Sequence, residues 1–181
     1  MLSWAVQNGR VAAVKELLWQ DAIKFDVNAK GEYRMAPLIF ATQEGFTGIV
    51  KILLRHGANP NTQDKRCRTA FSYAAQEGHR DVLELLLSHG ADPNIIDDDC
   101  STALTWGACR GKEAIVRRLL AVEGIDKSPV DNEGMNPLTW AIERRYGKIA
   151  EMLADNLPFS KVRLVEEVLK WRALRVKIVG P

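Results

Sequence analysis

Apolar and polar positions alternate along this chain with a long period. Five eight-residue blocks, at 2–9, 38–45, 71–78, 104–111 and 138–145, each open on Leu or Phe, place an aromatic two positions later and then Ala or Gly, and turn polar before a Gly or Arg. Their starts are 36, 33, 33 and 34 residues apart. Each block precedes a second apolar run that ends on a leucine pair or its equivalent: Leu17-Leu18, Leu53-Leu54, Leu86-Leu87 (Leu85-Leu86 by strict register), Leu119-Leu120 and Met152-Leu153. The spacing predicts a short helix, a tight turn, a second helix and a projecting hairpin, five times over. One such unit cannot bury its apolar face alone, so stacking on neighbours must supply the core.

Local chemistry supports these elements. Pro37 and Pro137 suit the first turn of a helix, where the missing N–H has no intrahelical partner. Gly57 and Gly90 sit where a second helix would end in a left-handed residue. Ala5, Ala41, Ala74, Gly107 and Ala141 give the paired helices room for close approach. Gly134 occupies a hairpin position where the other units carry Arg34, Cys67 and Cys100; a positive φ there costs a non-glycine residue on the order of 1 kcal/mol.

The period and its motifs resemble the ankyrin repeat, whose first helix opens on Thr-Pro-Leu-His-x-Ala. Thr69-Ala70-Phe71, Thr102-Ala103-Leu104, Ala36-Pro37-Leu38 and Asn136-Pro137-Leu138 match that opening, and residues 56–61 and 89–94 match the loop that closes a repeat. The resemblance covers residues 1–156 and is similar in flavour to the ankyrin arrays of filamentous fungi. It implies an all-α repeat solenoid with repeats at about 1–28, 29–61, 62–94, 95–128 and 129–156. Position one already lies inside the first helix, so the opening repeat lacks its hairpin and reads as a fragment or a trimmed cap. Residues 157–181 are not a sixth repeat: Ser160 can cap a helix carrying Val162, Val165 and Leu169 on one face, a basic amphipathic cap over the fifth repeat or a surface for acidic partners.

Composition narrows the function. The chain is 46% hydrophobic and 27% charged with a formal net charge of +2, an ordinary soluble balance. Six basic residues between Lys161 and Lys177 oppose only Glu166 and Glu167, so that stretch is +4 and the remainder −2. No long apolar run or signal peptide is evident, and three cysteines without a C-x-x-C pair suggest neither a disulfide framework nor a zinc site. An intracellular, cytoplasmic protein is expected, with the nucleus open. No phosphate-binding glycine loop or metal-ligand spacing is present, so neither a cofactor nor a metal is expected.

The residues that could carry function lie in the first helices. Trp4, Phe40, Tyr73, Trp106 and Trp140 form an aromatic column that, by the family resemblance, faces the concave surface. Gln43, Glu44, Gln76, Glu77, Arg110 and Arg144 form a polar column beside it that changes from acidic to basic along the array. Such a surface suits a protein partner, since rigid aromatics and arginine anchor interfaces and charge order selects orientation. The competing reading of the aromatics is packing between helices. Hairpin tips offer a second surface: Lys65, Arg66 and Arg68 make one basic, and Asp97, Asp98 and Asp99 make the next acidic. His56, His79 and His89 occupy structural positions, and no acid, base and nucleophile converge by register. The expected function is recognition of another protein; the alternative is a small-ligand binder or unusual enzyme using the aromatic groove as a pocket.

Overall fold

In the computed structural model, which describes residues 1–19, 26–31 and 35–156, the apolar periodicity resolves into helix pairs. These are α1 (Leu2–Gln7) with α2 (Val11–Trp19), α3 (Pro37–Gln43) with α4 (Thr47–Arg55), and α5 (Ala70–Glu77) with α6 (Arg80–Ser88). They continue with α7 (Ala103–Cys109) and α8 (Glu113–Leu120), then α9 (Pro137–Glu143) and α10 (Gly147–Asp155). First helices pack on first helices and second on second, so each pair is both partner and floor for the next. An isolated antiparallel bridge between Gln63 and Thr69 marks one hairpin. The expected all-α ankyrin solenoid is what the described residues form. Arg34 and the cap expected at 157–181 lie outside them.

Helix starts follow from short polar side chains. Thr69, Thr102 and Asn136 each accept from the backbone N–H three residues on, while Ser72, Thr105 and Thr139 reach back to the cap residue's own N–H. Each box satisfies two donors that would otherwise be orphaned. Helix α3 has Ala36 at its cap and relies on Pro37 instead.

The core is a file of equivalent positions. Leu53, Leu86, Leu119 and Leu153 are all fully buried, which makes Leu86-Leu87 the pair in α6 and shifts the fifth pair from Met152-Leu153 to Leu153-Ala154. Ala5, Ala41, Ala74 and Ala141 are also buried; a Cβ at Gly107 would lie 3.4 Å from an Ile115 methyl. Gly57 and Gly90 adopt φ of 83° and 82°, and Cys67, Cys100 and Gly134 share the left-handed hairpin position at 56°, 57° and 73°. All three cysteines are free thiols.

Two further ladders tie repeat to repeat. Asn28, Asn61 and Asn94 each accept from the backbone N–H of Asn59, Asp92 and Asp126 in the following repeat and donate to Gly57, Gly90 and Gly124. On the opposite side, the rings of Phe46, His79 and Tyr146 and the stem of Lys112 fold over the turn glycines of the preceding repeats. A Cβ on Gly45 would sit 2.7 Å from the His79 ring, and one on Gly111 would sit 2.7 Å from the Tyr146 ring. These glycines therefore serve both a positive φ and a close approach.

Candidate functional site

The first-helix face is organised by carboxylates that lie nine residues before the aromatic column. Each hairpin begins with a backbone pairing: Asp64 N–H to the Arg68 carbonyl, Asp97 to Ser101 and Asp131 to Met135, at 2.9 to 3.1 Å. In this conformation the Asp side chain turns inward. One Asp97 oxygen accepts from the backbone N–H of Asp99 and Ser101 at 3.0 and 2.9 Å, and the other accepts the indole Nε1–H of Trp106 at 2.8 Å. Asp131 does the same for Glu133, Met135 and Trp140, the indole lying 2.6 Å away. Asp64 accepts from the backbone of Arg66 and Arg68 and from the Tyr73 hydroxyl at 2.9 Å. All three aspartates are buried, which is tolerable because every charge has several donors.

This arrangement corrects two expectations. Asp97 is no part of an exposed acidic tip: it is consumed by the hairpin and Trp106, which leaves Asp98 and Asp99 at the surface, where Asp99 faces Arg66 at 3.8 Å. Tyr73 is not on an open ladder either. Only 3% of it is exposed, Arg68 lies 4.3 Å over its ring, and Arg68 pairs with Asp64. Burial, reinforced by the hydrogen bond to Asp64, pushes the Tyr73 hydroxyl from 10.0 up to about 12. The signal that could have revealed these carboxylates was an Asp three residues before the left-handed hairpin position in each of three repeats.

The remaining aromatics divide by position. Trp4 in the first repeat is 60% exposed, Phe40 is half-buried, and Trp106 and Trp140 are half-buried with their polar edges turned to aspartate. Trp106 and Trp140 border a concavity of about 500 Å³ between the fourth and fifth repeats, which Cys109, Arg110, Arg144 and Tyr146 complete on the helix side and Asp99 and Glu133 on the hairpin side. The Arg110 guanidinium lies 5.8 Å from the Trp106 ring centre and that of Arg144 lies 5.4 Å from the Trp140 ring centre. Both arginines are helix C-cap residues, where a positive charge also complements the helix dipole.

The polar column of the earlier repeats behaves differently. Gln76 donates to the Glu77 carboxylate at 2.6 Å, so Glu77 is held by its neighbour in sequence and Arg110 by its own tryptophan. Glu44 is an exposed C-cap, and half-buried Gln43 offers its backbone oxygen to His79 Nε2 at 3.2 Å. The other histidines also meet main chain: Nδ1 of His56 and of His89 lies 2.9 and 2.8 Å from the carbonyls of Ile52 and Leu85. Among the described residues, no helix is long and apolar enough to cross a membrane.

Comparison with known proteins agrees with this geometry. A family model described as ankyrin repeats (3 copies) matches residues 2–97 and again 92–163. Over 64 residues the chain is 41% identical to Palmitoyltransferase AKR1 of Lachancea kluyveri, a stretch that makes up 35% of this chain and 8% of that protein's length. With the matches of the family model spanning nearly all of the described solenoid and its helix pairs, turns and hairpins in register, the chain belongs to the ankyrin repeat family.

Proposed function

We propose that this chain is a protein-recognition module whose partner lies along the first-helix face, centred on the groove between α7 and α9. Ankyrin repeats are in general protein-interaction modules. The observation that supports the location is the groove itself: two tryptophans held by buried aspartates, each overlaid by an arginine, bordering a concavity of about 500 Å³. Anchored aromatics and arginines lose little conformational freedom on binding and are the usual energetic centres of interfaces. Trp4, Phe40, Gln43, Glu44, Gln76 and Glu77 extend the same face towards the first repeat. Tyr73, being buried, contributes by shaping the surface under Arg68 and Asp64.

Capture from native cell extract with the 181-residue chain tests the reading when wild type is compared with charge reversals. Arg110→Glu and Arg144→Glu should each deplete the same captured proteins by about tenfold, a loss near 1.4 kcal/mol, without changing the circular dichroism spectrum. Asp98→Lys, on a hairpin tip, should matter less. A capture set that survives both arginine reversals and is lost with Asp98→Lys would move the recognition surface to the tips.

A further inference from the structure

The last repeat leaves uncovered what every earlier repeat buries. One column of first-helix residues runs Val6, Thr42, Ala75 and Ala108, and a second-helix column runs Val14, Val50, Leu83 and Val116. All are at 0% exposure. Val6 and Val14 reach this in the first repeat, where Met1 and Trp4 stay 89% and 60% exposed, so the cover comes from the following repeat. The fifth members of the two columns are Ile142, 39% exposed, and Ala150, half-buried. The outer face of repeat five thus carries the apolar surface that its predecessors bury against a successor.

A sixth repeat of the same build does not fit there. In repeats one to four the turn between the helices holds Gly9, Gly45, Gly78 or Gly111, at φ of 62° to 89°. The following repeat lays Phe46, His79, Lys112 or Tyr146 over that glycine so closely that a Cβ would lie 2.7 to 3.1 Å from the side chain. In repeat five the position is Arg145, at φ 61°. Its side chain takes the seat that the next ring or stem would need. A second copy stacked head to tail meets the same obstacle, and would set Arg10, the counterpart of Phe46, against Arg145.

Charge identifies an occupant that does fit. Glu84 of repeat three accepts from Arg118 of repeat four at 2.6 Å, so this place on a second helix faces the next unit. Its counterpart in repeat five is Glu151, exposed, with Asp155 one turn further on. Residues 157–181 lie outside the described residues, but their sequence follows directly on α10. It carries Val162, Val165 and Leu169 at helical spacing and six basic residues against two acidic ones.

We infer that residues 157–181 close the outer face of repeat five, with Val162, Val165 and Leu169 on Ile142 and Ala150 and a basic side chain on Glu151. The segment ends the array where Arg145 excludes a further repeat, and it does so whichever surface recognises a partner.

Hydrogen exchange read by mass spectrometry on the full chain tests this. In wild type the amides of residues 137–156 should be equally protected at low and high protein concentration. Val165→Asp/Leu169→Asp should speed their exchange by at least about tenfold, with α5 and α6 unchanged as the check on folding. The milder Leu169→Ala should localise the effect to the same residues at about threefold, and it decides the matter if the double variant unfolds throughout. Glu151→Lys should also speed exchange there by about threefold, a difference that added salt removes. Unchanged exchange in both tail variants overturns the inference. Protection that is lost on dilution assigns the face to a second copy and overturns it equally. An effect of the tail variants with none of Glu151→Lys overturns the placement of the basic side chain.

Discussion

Repeat two and the three repeats that follow solve the same hairpin problem with different chemistry. In repeats three to five an aspartate bridges the hairpin backbone to a tyrosine hydroxyl or an indole N–H. In repeat two the equivalent residues are Gly31 and Phe40. The backbone pairing survives, with Gly31 N–H to the Met35 carbonyl at 3.1 Å, but there is neither an acceptor nor a donor to join. The two absences match: phenylalanine has no polar edge to satisfy, so no buried carboxylate is needed beside it. Repeats three to five thus use buried charge to fix the angle of each aromatic, and that fixed angle gives repeats four and five a groove with defined walls.

The largest effect should come from removing the bridge where it carries most. Asp97→Ala strips the acceptor from two backbone N–H groups and the Trp106 indole at once. Leaving buried donors unpaired costs about 1–3 kcal/mol, so a loss near 3 kcal/mol in urea unfolding is expected. Gly31→Ala at the equivalent place should cost less than about 0.5 kcal/mol, since among the described residues its Cβ would meet nothing closer than 3.8 Å. Similar losses in the two variants would mean that the carboxylate is not what distinguishes the repeats.

Much of the array is legible in the sequence itself. The period, the helix-opening Pro37 and Pro137 and the closing Gly57 and Gly90 all follow from local chain chemistry, which acts over a few residues and leaves a readable pattern. The burial of Tyr73 and Asp97 does not. A column of aromatics reads the same whether its rings face solvent or bend back to a carboxylate nine residues earlier, and a run of Asp97, Asp98 and Asp99 hides which one turns inward. The second role of the turn glycines was equally hidden, because the ring that fills Gly45 or Gly111 belongs to the next repeat, His79 or Tyr146. Side-chain contacts, within a repeat as at Asp97 and Trp106 or between repeats as at Gly45 and His79, are the part that periodicity announces but does not specify.

The tyrosine form of the bridge makes repeat three sensitive to alkali in a way the others are not. In the fold the Tyr73 hydroxyl titrates near 12 against 10.0 for the free side chain. Below pH 10 both states are protonated and the full stabilisation is present. As pH rises from 10 towards 12 the unfolded chain releases the proton and the folded one retains it, so stability falls by about 2 kcal/mol. Tyr73→Phe removes this component, so the stability difference between wild type and variant should narrow across that window. A constant difference from pH 9 to 12 would show that the hydroxyl is not buried against Asp64.

The smallest and most discriminating test builds the missing bridge into repeat two. Gly31 is not in the left-handed region, and a Cβ there would lie 3.8 Å from the Ser3 hydroxyl and 3.9 Å from the Met35 carbonyl. Aspartate therefore fits without strain. Gly31→Asp alone sets a carboxylate at an exposed position beside an apolar ring and should be neutral or mildly destabilising. Phe40→Trp alone brings an indole N–H with no acceptor and should also fail to stabilise. Together they recreate the pairing of Asp97 with Trp106, and a double-mutant cycle should return a favourable coupling of about 1 kcal/mol. A coupling near zero would show that the hairpin of repeat two cannot turn its first residue inward, and that the difference between the repeats lies in backbone shape rather than in the two side chains.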